Sequence, residues 1–104
     1  MITVIAQFKF SHPVSIEKAR EAALGTAPRY RGVPGLIRKY YTLAADGMSG
    51  GGIYLWKSRE DADRMYDDEW RAFVRGRYGC EPVLTYLETP VIVDNVSNEI
   101  VSDR

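Results

Sequence analysis

Gly50-Gly51-Gly52-Ile53-Tyr54-Leu55-Trp56-Lys57-Ser58, preceded by Val33-Pro34-Gly35-Leu36, is the stretch from which the architecture follows. Three consecutive glycines contribute nothing to packing, so they mark a bend or a close backbone approach. The Ile-Tyr-Leu-Trp run after them has the composition of a strand, and Ser58 opens a helix. Val33-Pro34-Gly35 is a turn by its chemistry: Pro fixes φ at the first corner and Gly accepts a positive φ at the second. Leu36 to Leu43 follows as a strand, and Asp46-Gly47-Met48-Ser49 makes the loop to the strand from Gly51 to Lys57. The two strands are therefore expected as antiparallel neighbours.

Upstream, Ile2, Val4, Ala6, Phe8 and Phe10 alternate with Thr3, Ile5, Gln7 and Lys9, a strand whose second face is only half polar. His12-Pro13 ends it. Ser15 caps a helix with Ile16, Ala19, Ala23, Ala27 and Tyr30 on one stripe. Gly25 costs that helix about 1 kcal/mol relative to Ala and an interior Pro28 about 3 kcal/mol, so a break or kink is predicted near Thr26 to Pro28. Downstream, Ser58 with Asp61 in capping-box position starts a second amphipathic helix through Ala62, Met65, Tyr66, Glu69 or Trp70, Phe73, Val74 and Arg77, with Gly76 and Gly79 available to stop it. A final strand is predicted from Val83 to about Asp94, with Pro90 interrupting its ladder.

The sum is β-α-β-β-α-β, an α+β, ferredoxin-like order with both helices on one face of a four-stranded antiparallel sheet. One domain is expected over residues 1–95, with 96–104 a C-terminal tail. The other sheet face needs a cover, because its strands carry too many large apolar side chains to stay wet. A second copy of the chain is the simplest cover, and the overrunning last strand suits addition to a partner's edge. A homodimer is therefore expected, with the tail available to pack on the partner chain.

At 104 residues there is room for one core. Fourteen basic side chains balance 14 acidic ones and no basic block interleaves with aromatics, which argues against nucleic acid as a partner. Cys80 is the only cysteine, which excludes an internal disulfide framework and a thiolate zinc cluster and suits a reducing cytoplasm. Met1 to Phe10 lacks a basic start and a cleavage site, and no apolar run approaches the ~20 residues a bilayer requires. A cytoplasmic protein with no membrane association is the expectation.

Pro34-Gly35-Leu36, Gly51-Gly52-Ile53-Tyr54-Leu55, the helix opening Ser58-Arg59-Glu60-Asp61-Ala62 and the Phe8-Lys9-Phe10 strand end together resemble the dimeric α+β barrel superfamily, and within it the small monooxygenase-like proteins of the YdhR type. The resemblance spans about residues 1–95. It implies a half-barrel completed by a twin chain, and kinship with antibiotic-biosynthesis monooxygenases, which oxidise aromatic polyketides with molecular oxygen and no metal, flavin or haem. The third strand of that family usually ends in a Trp, matched by Trp56. The family pattern also places an Asn four residues before this Trp, where this chain has Gly52. Related haem-degrading barrels use an Asn on strand one and a His on the second helix; here strand one carries Gln7 and the helix has no His, so no cofactor is expected.

Chemistry of that kind asks the protein to exclude water, grip a flat ring and supply one base or hydrogen-bond donor. Aromatic residues such as Tyr54 and Trp70 supply a wall, and core packing is the simpler account of any single one of them. His12 is the only side chain whose ordinary pKa suits a base near neutrality, in a loop that is either a barrel mouth or merely exposed. His12 and Trp56 are the candidate catalytic residues. Gln7 is a polar amide in an apolar strand and needs a partner, backbone or ligand. Arg38 beside Tyr40 reads as a clamp for a carboxylate or enolate, or as a cross-strand or interface ion pair; Lys39 and Tyr41 take the opposite face, and a one-residue slip exchanges the two. Gln7, Arg38, Tyr40, Tyr54 and Trp70 are the candidate substrate contacts. The acidic run Asp67-Asp68-Glu69 reads as a solvated helix face and no metal is expected.

The activity these readings support is a cofactor-independent monooxygenase acting on a small aromatic or quinonoid compound. The alternatives are a non-catalytic dimeric small-ligand-binding or stress-response protein, or an isomerase or polyketide cyclase, because one fold hosts many functions.

Overall fold

The alternation at the N-terminus becomes strand β1, Ile2–Lys9, in the computed structural model, which describes residues 1–103. Ile2, Val4, Ala6 and Phe8 point into the core while Gln7 and Lys9 lie exposed. Helix α1, Ile16–Tyr30, begins at Ser15, whose hydroxyl accepts from the Lys18 amide at 3.2 Å. It runs unbroken through Pro28 to Tyr30, so the predicted break does not occur. The proline stands only two residues from the end, where its missing N–H costs a single bond, and the chain leaves through an Arg31 amide bond to the Pro28 carbonyl.

Val33-Pro34-Gly35 turns as expected: the Leu36 amide donates to the Val33 carbonyl at 3.1 Å and Gly35 takes φ 81°. Strands β2, Leu36–Leu43, and β3, Ser49–Trp56, follow as antiparallel neighbours. Their register shifts between Leu36 and Arg38, a β-bulge that gives β2 one extra residue. The expected second helix is two helices, α2 at Arg59–Met65 and α3 at Asp68–Tyr78. Tyr66 leaves the helical region at φ −82°, ψ 53°, and the Asp67 side chain accepts from the Trp70 amide at 2.8 Å, which starts a new helix instead of continuing the old one. Gly79, left-handed at φ 75°, ends α3 with its amide on the Arg75 carbonyl.

Strand β4, Val83–Glu88, pairs with β1 and completes a four-stranded antiparallel sheet in the order β2-β3-β1-β4. This is the α+β architecture the element order predicts. The strand stops at Glu88, however. After Thr89-Pro90 the chain forms β5, Val91–Asp94, which pairs with β6, Glu99–Ser102, in a separate two-stranded sheet. Pro90 removes the amide that a continuous ladder needs. The hairpin is tied to the body by Arg38 with Asp94 at 3.5 Å and by the terminal ammonium of Met1 with the Asp103 carboxylate. Residue 104, the end of the predicted tail, lies outside the described residues.

All helices cover the sheet face that carries Val4, Ala6, Tyr54 and Trp56. The opposite face presents Ile5, Gln7, Arg38, Tyr40, Ile53 and Leu87, with Tyr40 at 52% and Leu87 at 47% exposure. Among the described residues no helix is long and apolar enough to cross a membrane.

Candidate functional site

The layer between helices and sheet is closed at one end and open at the other. The closed end sits where β3 meets α2 and α3. Trp56 is 0% exposed and its indole N–H donates to the Tyr66 hydroxyl at 3.1 Å; the Trp70 indole donates to the Tyr30 hydroxyl at the same distance. Tyr54 stacks on Trp56 with ring centroids 6.3 Å apart, and Tyr66 meets Trp70 edge to face at 4.8 Å. Indoles and phenols thus satisfy each other's polar atoms inside an apolar layer, as buried Tyr and Trp require. Burial pushes the Tyr54 and Tyr66 hydroxyls far above the ordinary phenol range.

At the open end, α1 stands off from the sheet over a cleft of about 730 Å³. Small residues on both walls create it: Ala19, Ala23 and Ala27 on α1 look across to Gly51 on β3. Gly51 takes φ 155°, and a Cβ there would strike the Ala6 carbonyl oxygen, so this position admits no side chain that might fill the space. The Phe10–Val14 loop forms the mouth, anchored by the Phe10 amide on the Met48 carbonyl at 2.8 Å and the Val14 amide on the Gly47 carbonyl at 2.9 Å. Arg77 and Tyr78 of α3 and Tyr41 of β2 also line it. Because α1 is lifted here, Ile16 at the predicted core stripe remains 53% exposed.

Ser11, Lys18, Arg20 and Thr42 also line this cleft, and three of its polar side chains are fixed by contacts within the fold. The Tyr41 hydroxyl pairs with Thr26 Oγ1 at 2.8 Å, and burial raises its pKa. Tyr78 stacks on Phe8 at 4.3 Å and is raised for the same reason. Arg77 donates to the Ala22 carbonyl at 3.3 Å, which holds α3 against α1. Behind Tyr41 lies Lys39, whose Nζ stands 3.4 Å from the Tyr30 ring centroid, 3.9 Å from Tyr41 and 4.7 Å from Tyr54. Burial lowers this amine from the usual 10.5 to about 7.

The candidate residues read from the sequence fall in three places. His12 lines the mouth of the cleft. Trp56 and Trp70 lie in the closed aromatic layer, and Tyr54 lies between that layer and Lys39. Gln7, Arg38 and Tyr40 lie on the opposite sheet face, where Arg38 donates to the Tyr40 hydroxyl at 3.3 Å and pairs with Asp94. Lys39, Tyr41, Arg77 and Tyr78 are the residues that sequence reasoning did not single out for this site. The alternation of Lys39 with Tyr41 was the available signal, but which face they take depends on a bulge that composition does not reveal. Among the described residues no group of three or more His, Cys, Asp or Glu is placed to hold a metal ion.

This four-stranded antiparallel sheet with helices on one face is the architecture of ferredoxin-like monooxygenase structures. The chain belongs to the family described as "Putative mono-oxygenase ydhR", whose profile matches residues 4–77, and this is the family its sequence resembles. Among solved structures, it is similar to a monooxygenase from the gene ActVA-Orf6 of Streptomyces coelicolor in complex with nanaomycin D: 20% identity, TM-score 0.66, covering 85% of this chain and 86% of that one. It is also similar to Rv0793 from Mycobacterium tuberculosis, at 21% identity and TM-score 0.58 over 85% of this chain and 93% of that one. At such identities the likeness is one of fold. A comparison with curated proteins gave no match.

Proposed function

We propose that this protein is a cofactor-independent monooxygenase that oxidises a small aromatic or quinonoid compound with molecular oxygen in the cleft beneath α1. The observation that carries the reading is the cleft itself: about 730 Å³ between small-residue walls and tyrosine rings, in a member of a monooxygenase family. A flat ring fits between the alanine face of α1 and Gly51, with Tyr41 and Tyr78 at its edge. The electrons that reduce oxygen come from the substrate once it is deprotonated, so a ring methylene flanked by phenols plus one dioxygen gives a ring carbonyl plus one water. His12 at the mouth is the candidate base for that proton. Trp56, Tyr54 and Trp70 act as a rigid backing that keeps the tyrosine rings in place, a positioning role.

The same reading takes the protein as a homodimer. Exposed Ile37, Tyr40, Val83 and Leu87 on the uncovered side of the sheet, together with Val91 and Val93 on the hairpin, are large apolar side chains that a second copy would cover. Gln7, Arg38 and Tyr40 then belong to the buried interface.

Oxygen uptake against hydroxylated naphthalenes, anthrones and flavonoids, with wild-type protein and His12→Ala, tests the activity. Uptake with at least one anthrone, reduced about tenfold or more in His12→Ala, is expected. Tight binding of these compounds without oxygen consumption would show a ligand-binding protein instead. Light scattering at micromolar protein is expected to give twice 11.8 kDa, and a particle of 11.8 kDa would remove the dimer.

A further inference from the structure

Lys39 is a cation without an anion. No carboxylate lies within salt-bridge distance of its Nζ among the described residues, although five other ion pairs form in this small chain. Three aromatic faces surround it instead, from Tyr30 of α1, Tyr41 of its own strand and Tyr54 of β3. Ring faces attract an ammonium by about 0.5–2 kcal/mol, while burial works against the charge. Nothing in the cage accepts a hydrogen bond from it.

The site is built around this side chain. Lys39 pairs across the strands with Tyr54, and Gly52 is the neighbour over which its stem lies. A Cβ at Gly52 would stand 3.0 Å from Lys39 Cε and 3.1 Å from Tyr54 Cε1, so a side chain there would crowd the lysine stem and the ring beside it. Beside the amine lies a void of about 10 Å³, lined by Thr26, Tyr41, Gly51 and Tyr78 as well as the cage. That is room for about one oxygen atom. Tyr41, Gly51 and Tyr78 also line the large cleft, so the void lies directly behind its inner wall, separated from it by these three residues. A ring lying in the cleft with one hydroxyl directed inward past them would bring a single oxygen to Lys39.

We propose that Lys39 is a second functional group of this cleft, an amine that accepts the proton of a phenol or enol hydroxyl and holds the resulting oxyanion. The ligand O–H bond breaks, an N–H bond forms on Nζ, the oxygen keeps the electron pair, and the product is a buried phenolate–ammonium pair with no net change in charge. The titratable and charged groups facing this pair are Tyr30, Tyr41 and Tyr54, with Tyr78 across the void and Arg77 further along the same wall. An amine lowered to about 7 suits this transfer, because it is close to balanced between accepting and releasing a proton at neutral pH. The inference rests on the cleft being an aromatic-ligand site, but it does not require that the ligand be oxidised.

The test uses para-nitrophenol, whose phenolate is yellow and whose neutral form is not. At about one pH unit below the dye's own ionisation Lys39 is mostly ammonium, so the dye's proton leaves to solvent; wild-type protein is expected to hold the dye as phenolate against that ammonium, and Lys39→Met to lose about tenfold of the bound phenolate signal. In wild-type protein alone, the dye is expected to slow acetylation of Lys39, read by peptide mass spectrometry, while exposed Lys9 and Lys57, which lie outside the cleft, react as before. Absence of bound phenolate in wild type, its persistence in Lys39→Met, or acetylation of Lys39 that the dye does not slow overturns the proposal. Phenolate binding without oxygen uptake would leave this inference standing and remove the oxygenase; oxygen uptake undiminished in Lys39→Met would do the reverse.

Discussion

The two ends of the helix–sheet layer use the same residue types to opposite effect. Around Trp56, tyrosines and tryptophans saturate one another's hydrogen bonds and leave no room. Beneath α1, alanines and glycines face one another and tyrosine hydroxyls border an open cleft. The difference teaches that aromatic content alone does not mark a binding site in this fold; what marks it is where side chains are missing beside the aromatics. A stretch of glycine next to tyrosine is thus more telling than a tryptophan.

The largest effect expected to expose this contrast is Trp56→Ala, which empties a fully buried indole position and strands the Tyr66 hydroxyl. Urea unfolding should report a loss of about 3–5 kcal/mol, whereas His12→Ala at the cleft mouth should stay within about 0.5 kcal/mol of wild type. Equal losses would mean that the mouth is as tightly packed as the closed end. Next comes glycine. Gly51→Ala meets the Ala6 carbonyl and an unfavourable φ, and should cost about 2–3 kcal/mol. Gly25→Ala on α1, where a Cβ meets nothing within 4 Å, should instead gain about 0.5–1 kcal/mol in the same assay.

A smaller effect, of opposite sign to the first, is expected at Lys39. The unfolded chain keeps this amine protonated up to about 10.5 and the folded chain only to about 7, so between those values the unfolded state binds more protons and stability rises with pH. Below about 7 the full cost of burying the ammonium is present. Lys39→Met should therefore stabilise the protein by about 1–2 kcal/mol near pH 6, the part of that cost the aromatic faces do not offset, and the advantage should fade as pH approaches 10. Thermal unfolding across that range checks it, and a gap that does not vary with pH would mean that the amine is not desolvated.

Much of this fold is legible before any coordinates. The alternation of Ile2, Val4, Ala6 and Phe8, the Pro34-Gly35 corner and the Ser58–Asp61 pair each have a local cause, and each appears where expected. Other features depend on competition between neighbours. Asp67 sits inside a continuous helical pattern and reads as one more surface charge, yet its carboxylate captures the Trp70 amide and divides the helix. Pro90 reads as an interruption within a strand, but it ends the strand and frees Val91–Ser102 to pair with itself. For the site, the His12-Pro13 loop is visible as a strand end, which is why His12 falls at the cleft. The cage is not visible in the same way, because it assembles from α1, β2 and β3 and depends on cross-strand register.

The bulge at Ile37 decides which of two adjacent basic residues enters that cage. In an uninterrupted ladder continuing from Leu36 opposite Trp56, Arg38 would lie opposite Tyr54 and turn inward, and Lys39 would face away. A guanidinium surrounded by phenol rings stays permanently ionised, whereas an amine there can exist in either form. The bulge has thus exchanged a fixed charge for a reversible one, because the extra residue it absorbs is what brings Lys39, and not Arg38, opposite Tyr54.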